Sequence, residues 1–255
     1  MSRALLISNS TQHGGGYLDH CAAEMRDFLG GIERVLFVPF ALRDRDGYAA
    51  TARARFDRMG YAMDSLHEAE DPRVAVESAQ AYFVGGGNTF RLLDCMYRLG
   101  VLEDMRRSVA GGTPYMGSSA GSNLACVTIR TTNDMPITQP PSFDALALVP
   151  FNLNCHYLDP DADSTHQGET RELRIREFHE ENHPYVLGMR EGCMLRIEDD
   201  EVQLKGTTPA RLFARGQEPR EFSPGERLDF LMEPPPGKHA GGENHGKQEG
   251  EGSDE

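Results

Sequence analysis

The sequence predicts an α/β protein: a doubly wound, mostly parallel sheet flanked by helices. Three observations carry that prediction. Short runs with no polar residue, such as Ala4-Leu5-Leu6-Ile7, Val35-Leu36-Phe37-Val38 and Ala81-Tyr82-Phe83-Val84, are what a strand buried on both faces requires. Between them lie longer stretches with apolar residues at i, i+3 and i+4, the spacing of one helical face. The runs end in residues that stop a strand or open a loop: Ser8-Asn9-Ser10-Thr11, Pro39, and Gly85-Gly86-Gly87.

Taken in order, residues 4–7 form the first strand. A helix over 17–29 follows, with Leu18, Cys21, Ala22, Met25 and Leu29 on one face. Residues 35–38 are the second strand. Residues 49–59 read as a helix, and Asp71-Pro72 opens another that runs from Val74 to Ala79, since proline suits a first helical turn. After the strand at 81–84, helices are expected over 89–99 and 100–109. Tyr115-Met116 is a short strand, and a helix over 122–127 comes after it. A charged helix runs from about Glu169 to Glu181. Leu195-Arg196-Ile197 and Val202-Gln203-Leu204, separated by Asp199-Asp200, read as a hairpin. Phe213, Phe222 and Phe230 fall in short strands or loops.

The chain has 255 residues, of which 38% are hydrophobic, and this is enough to enclose a core. A single α/β domain is expected over residues 1–233. From residue 234 the sequence turns to Pro, Gly, Glu, Lys and His with one alanine, which cannot offset chain entropy, so 234–255 reads as a disordered acidic tail. The net charge is −14; the tail's two lysines and five carboxylates contribute −3, leaving −11 on the body. Such a balance excludes a general nucleic-acid binder, which needs clustered cations. The longest wholly apolar run, Val35 to Leu42, is far short of a membrane span, and the start lacks a signal-peptide core. Five cysteines without a C-x-x-C pair predict free thiols and a cytoplasmic location. No feature specifies an oligomeric state.

The strongest chemical signal is Gly117-Ser118-Ser119-Ala120-Gly121, a G-x-S-x-G between a strand and a helix. Small neighbours permit a sharp turn that lifts the central hydroxyl off the sheet edge, and free N–H groups at the helix start can face a developing oxyanion. Its frame makes Ser119 the nucleophile. Gly85-Gly86-Gly87-Asn88-Thr89 also joins a strand to a helix. With Phe90 in place of the third glycine it is no dinucleotide fingerprint, and without a lysine it is no P-loop, so no cofactor is expected. It fits a second oxyanion donor, with Asn88 or Thr89 capping the helix. Candidate bases are His13, His20, His67, His156, His166, His179 and His183. His156 stands at a strand end, where catalytic groups of open α/β sheets collect. For the orienting acid, Asp134 and Glu191 both remain open.

His179-Glu180-Glu181-Asn182-His183 matches the zinc-protease pattern H-E-x-x-H, but Pro184 pushes His183 out of the helix and removes the shared face, so no metal site is expected. His239 and His245 are too sparse for a metal tract. Cys155 and His156 point to opposite faces of a strand and cannot pair. Residues 168–177 read as a solvated helix with Glu–Arg pairs, from which one arginine can reach a substrate carboxylate.

In sum, Ser8-Asn9-Ser10-Thr11, the stretch 84–90, Ser119-Ala120-Gly121, Thr128 to Ile137, Phe143-Asp144-Ala145-Leu146, Asn154-x-His156 and Gly168-Glu169-Thr170-Arg171-Glu172 resemble the peptidase E family of serine peptidases, the α-aspartyl dipeptidases, whose wider family includes cyanophycinase. The likeness spans most of residues 4–215. It implies a fold similar to class I glutamine amidotransferases and hydrolysis of dipeptides with an N-terminal aspartate, so the partner is a small acidic peptide. By position it implies Ser119 as nucleophile, His156 as base and Glu191 as acid. Gly87 and Ala120 would be oxyanion donors, and Asp134, Arg171 and Asn88 would be in the substrate-binding set. The chain departs from the family pattern at Ser118, where tryptophan is expected, and at Cys155, where proline is. Two other readings stay open at this level: a cyanophycinase-like hydrolase of β-aspartyl bonds, and a catalytically silent binding homologue.

Overall fold

The computed structural model describes residues 3–160 and 168–235. The predicted tail from residue 236 onward, His166 and most of the acidic stretch after Asp159 lie outside the described residues. The first half alternates strands and helices: β1 (Arg3–Ile7), α1 (Ala22–Leu29), β2 (Arg34–Val38), α2 (Arg45–Met59), β3 (Ala62–Ser65), α3 (Pro72–Glu77), β4 (Tyr82–Val84), α4 (Thr89–Leu99), α5 (Leu102–Ala110), β5 (Tyr115–Ser118) and α6 (Ala120–Leu124). The second half holds β6 (Asn152–Cys155), α7 (Arg171–Glu181), β7 (Val186–Met189), β8 (Cys193–Glu198), β9 (Glu201–Gly206), β10 (Ala210–Phe213) and β11 (Arg220–Phe222).

A seven-stranded sheet runs in the order β3-β2-β4-β5-β1-β8-β9. Its first five strands are parallel, while β8 and β9 join antiparallel to β1. Both faces are covered, and the strand residues alternate accordingly. Ala4 and Leu6 of β1 pack with Leu36, Val84, Leu93 and Met105, whereas Leu5 and Ile7 pack with Met25, Phe37, Ala52 and Phe56. This two-sided burial is why the strands read as unbroken apolar runs. The hairpin predicted after residue 195 is β8–β9.

The sheet is less uniformly parallel than the sequence predicts. A second sheet, β11-β10-β7-β6, has one parallel pair, β6–β7, and two antiparallel ones. Its strands have three or four residues each, too short for a visible period, and two of the four residues of β6 are buried asparagines. The edge strand β3 gives no signal in the sequence either, because its two buried positions are Met63 and Ser65 and no apolar alternation results. The first helix starts at Ala22 rather than Tyr17: Leu18 has φ +56°, and Gly16 N–H turns back to Asp19 Oδ2 at 2.8 Å. The Ser119 turn leads into only five helical residues, and α4 covers the predicted span 89–99.

Parallel strands send their carboxyl ends to one edge. The ends of β1, β4 and β5 therefore lie side by side. Because β8 runs the opposite way, the turn from β7 into β8 comes to the same edge.

Candidate active site

Ser119 follows β5 with φ +52° and ψ −109°, a backbone region costing a non-glycine residue of the order of 1–3 kcal/mol. Its surroundings enforce that turn. Ser119 N–H donates to Ile7 O at 2.9 Å, and the single Ser122 Oγ proton is shared between the carbonyls of Ile7 and Gly117, at 2.8 and 2.9 Å. Small residues are obligatory here for a steric reason. A methyl group on Gly121 would overlap Val84 O, and one on Gly117 would overlap the Gly121 carbonyl.

His156 follows β6, also at positive φ, +55°. Its Nε2 lies 3.0 Å from Ser119 Oγ, and its Nδ1 lies 2.8 Å from Glu191 Oε1. Glu191 occupies the turn between β7 and β8, where Thr208 Oγ1 donates to its carbonyl at 2.8 Å. Gly192 next to it has φ +88°, and a side chain there would strike Gln12 and Thr207. A hydroxyl, an imidazole and a carboxylate in line can pass a proton from Oγ to Nε2 while the carboxylate orients the ring. The side chains of His156 and Glu191 are 42% and 52% exposed, so a small substrate reaches them from solvent.

Asp134, the other candidate acid, is placed differently. Its Oδ2 accepts from Thr89 N at 2.7 Å and from the hydroxyls of Thr89 and Thr132 at 2.5 and 3.1 Å. It thus binds the start of α4 and still lines the cleft over Ser119. The loop carrying it is fastened to β6 by buried polar groups: Asn154 Nδ2 donates to Thr131 O at 2.8 Å, and Asn133 Nδ2 to Cys155 O at 2.8 Å.

Gly87 adopts φ +134°, where a side chain would collide with the Ala41 carbonyl. Neither its N–H nor that of Ala120 meets an acceptor among the described residues. For Ala120 this follows from its place as first residue of α6, which has no earlier turn to bond. Asn88 is not among the cleft-lining residues. Its Oδ1 caps Arg91 N–H at 3.0 Å and one Nδ2 proton goes to Met135 O at 2.8 Å, which leaves the second amide proton for the substrate contact expected of it. Arg171 is the first residue of α7, capped by Thr170, and is not among the cleft-lining residues. Burial and then the charge of Arg174 pull its guanidinium below the ordinary value, opposed by the Asp134 carboxylate.

The cleft has a volume of about 680 Å³. Besides Ser119, Asp134 and His156, its lining includes Ser10, from the motif that ends the first strand, and Tyr17, Leu42 and Tyr48, to which the sequence assigned no role in the site. Tyr17 and Tyr48 lie edge to face, 6.2 Å between ring centroids, and burial pushes both phenols up. A side chain on Gly85 would run into the Tyr48 ring. The only signal that could have marked this wall was its position after strand ends.

His179, His183 and Cys155 have structural surroundings. In the H-E-x-x-H segment, α7 ends at Glu181. His179 Nε2 then donates to Pro184 O at 3.0 Å, and the His183 ring faces Arg215. Cys155 is buried, and burial raises its thiol pKa well above the ordinary value.

Comparison with known proteins supplies the family. The model of peptidase family S51 matches residues 4–205. Peptidase E of Streptomyces coelicolor is 53% identical over 229 residues, covering 90% of this chain and 94% of its own. A probable alpha-aspartyl dipeptidase of Drosophila melanogaster is 47% identical over 232 residues, covering 90% and 97%. A crystal structure of a putative peptidase E from Listeria monocytogenes shares the fold, with TM-score 0.62 at 21% identity over 82% of this chain and all of the other. With a serine, histidine and glutamate joined at the strand ends and a family match across most of its length, the chain belongs to peptidase family S51.

Proposed function

We propose that this protein is a serine-type dipeptidase that hydrolyses dipeptides with an N-terminal aspartate through an acyl-enzyme on Ser119. The observation that carries this reading is the Oγ–Nε2–Nδ1–Oε1 line at 3.0 and 2.8 Å. His156 takes the Ser119 proton as Oγ attacks the scissile carbonyl, then gives it to the leaving amine. Glu191 holds the ring and offsets the imidazolium charge. The N–H groups of Gly87 and Ala120 face the oxyanion. Water, with its proton passing to His156, then releases aspartate and regenerates the serine.

Aspartate is recognised at the Asp134 side of the cleft. Asp134 offers a carboxylate to the substrate's ammonium group, and Arg171, electrostatically linked to Asp134, serves the aspartate side chain. A local cation is needed because a body of net charge −11 repels an acidic peptide. The name of the Drosophila relative favours α-linked aspartyl dipeptides, and neither a β-aspartyl hydrolase nor a silent homologue is favoured. The catalytic domain occupies residues 1–233: one core cluster joins residues of both sheets, from Leu6 to Leu187 and Leu231. Five free thiols fit a cytoplasmic location.

The test is hydrolysis of Asp-Leu by the wild type and by Ser119→Ala. The variant should lose activity by roughly ten-thousand-fold or more, with its thermal unfolding preserved. Retained turnover would remove Ser119 from the reaction. Cleavage of β-aspartyl-arginine in preference to Asp-Leu would replace the substrate assignment.

A further inference from the structure

Three consecutive residues, the last of β1 and the two after it, bond the backbone of two members of the triad and of the residue next to the third. Ile7 O accepts the N–H of Ser119 at 2.9 Å. Ser8 Oγ accepts the N–H of His156 at 3.1 Å and donates to Met189 O at 2.8 Å. Asn9 Oδ1 accepts the N–H of Gly192, next to Glu191, at 2.8 Å, while its Nδ2 donates to Thr11 O at 3.0 Å. Ser8 and Asn9 are 0% and 1% exposed, and neither lines the cleft.

We propose that Ser8 and Asn9 are positioning residues, Ser8 setting the base and Asn9 the acid. The inference rests on the dipeptidase reading above for its kinetic test only. Its physical ground is that the nucleophile and the base stand on different sheets: Ser119 ends a strand of the seven-stranded sheet, His156 one of the four-stranded sheet. Among the described residues no strand pairing connects the two sheets, so backbone ladders do not determine the distance between Oγ and Nε2. The Ser8 hydroxyl spans that junction. One proton and one lone pair link β1 to the ends of both β6 and β7, and its bond reaches the backbone of a residue held at positive φ. Asn9 does the same for the acid turn, which leaves β7 for β8 and whose far side is held by Thr208. A buried serine with both capacities used and a buried asparagine bonded at both ends are rigid supports. A shift of about 1 Å at a reacting atom is enough to cost roughly a hundredfold in rate.

The test uses full-length Ser8→Ala, Ser8→Thr and Asn9→Leu. For Asp-Leu, Ser8→Ala and Asn9→Leu should each lower kcat roughly tenfold to hundredfold with KM within about twofold, and Ser8→Thr, which keeps the hydroxyl, should recover most of kcat. In Asn9→Leu the acid limb of the kcat/KM pH profile should move to lower pH, since a displaced Glu191 stabilises the imidazolium less. Proton NMR supplies a readout without substrate. The low-field resonance of the His156 Nδ1 proton should shift or broaden in both Ser8→Ala and Asn9→Leu. A kcat within about threefold of wild type in these two variants overturns the inference, as does lost activity with an unchanged resonance and pH profile. If Ser8→Ala does not fold, Asn9→Leu decides by the same criteria. If the wild type does not cleave Asp-Leu, the dipeptidase reading fails. The resonance still decides the positioning role, and an unchanged signal in the variants overturns it.

Discussion

At the scale of single residues, the site separates two carboxylates that the sequence left in competition. Glu191 contacts the imidazole, whereas Asp134 is bound by Thr89 and Thr132. Glu191→Gln should therefore lower kcat for Asp-Leu by roughly 10²- to 10⁴-fold with little change in KM. Asp134→Asn should instead raise KM and keep most of kcat, because its amide oxygen can still take the Thr89 N–H while the charge offered to substrate is gone. Steady-state kinetics of the two variants distinguish these outcomes; a larger kcat loss in Asp134→Asn would reverse the assignment. Ser119 and His156 could be singled out in sequence because each follows a strand, whereas the contact between their side chains is seen only in the fold. The capping role of Asn88 was legible too, whereas its bond to the Met135 carbonyl is known only once the chain is folded.

At the scale of elements, the turn from β5 into α6 is the most constrained segment. Its glycines are required by close approach, not by helical propensity. Gly121→Ala would place a methyl group against the Val84 carbonyl, and overpacking of this kind costs about 1–3 kcal/mol. Chemical denaturation should show a lowered midpoint, together with lost activity, since β4 carries the Gly85–Gly87 loop. Helix α7 makes a different prediction. Burial lowers the His179 pKa below its ordinary 6.5, against the opposing hydrogen bond to Pro184. The unfolded chain then binds the proton more readily than the folded one. Stability is thus intact above about pH 6.5 and falls as pH drops toward the folded pKa, by at most about 1.4 kcal/mol per pH unit for one proton. His20, lowered mainly by burial, acts in the same direction. Urea midpoints at pH 7.5 and 5.5 should differ less in His179→Gln, which keeps a donor for Pro184, than in wild type. The start of α4 was legible in sequence through Asn88, but Gly100, read there as the first residue of the next helix, instead ends α4 at φ +67°, and α5 begins at Leu102; three- and four-residue strands offered too few positions for a period.

At the scale of the whole molecule, charge and fold make opposite demands on the substrate. An acidic protein repels an acidic dipeptide at long range, so preference for aspartate has to be local. Arg171→Glu should abolish the preference for Asp-Leu over Ala-Leu, raising KM for the former by roughly tenfold or more. Unchanged preference would remove Arg171 from recognition. Removal of residues 236–255 should leave Tm and kcat/KM within error of the full chain. The core already closes at Leu231, which is fully buried, and the cleft is lined by residues between Ser10 and His156.

The α/β class, the strand runs, the Ser119 turn and the resemblance to the aspartyl dipeptidases were determined by the sequence alone. These depend on local spacing and on residues whose chemistry admits few uses. Tertiary structure placed Glu191, which only the resemblance had favoured over Asp134, against His156, and it alone showed how the second sheet brings the base to the nucleophile and what Ser8 and Asn9 bond. The physical reason is distance along the chain. Ser8 and Met189 are bonded yet stand 181 positions apart, and no local pattern encodes a contact made by two strand ends that meet only when both sheets are packed.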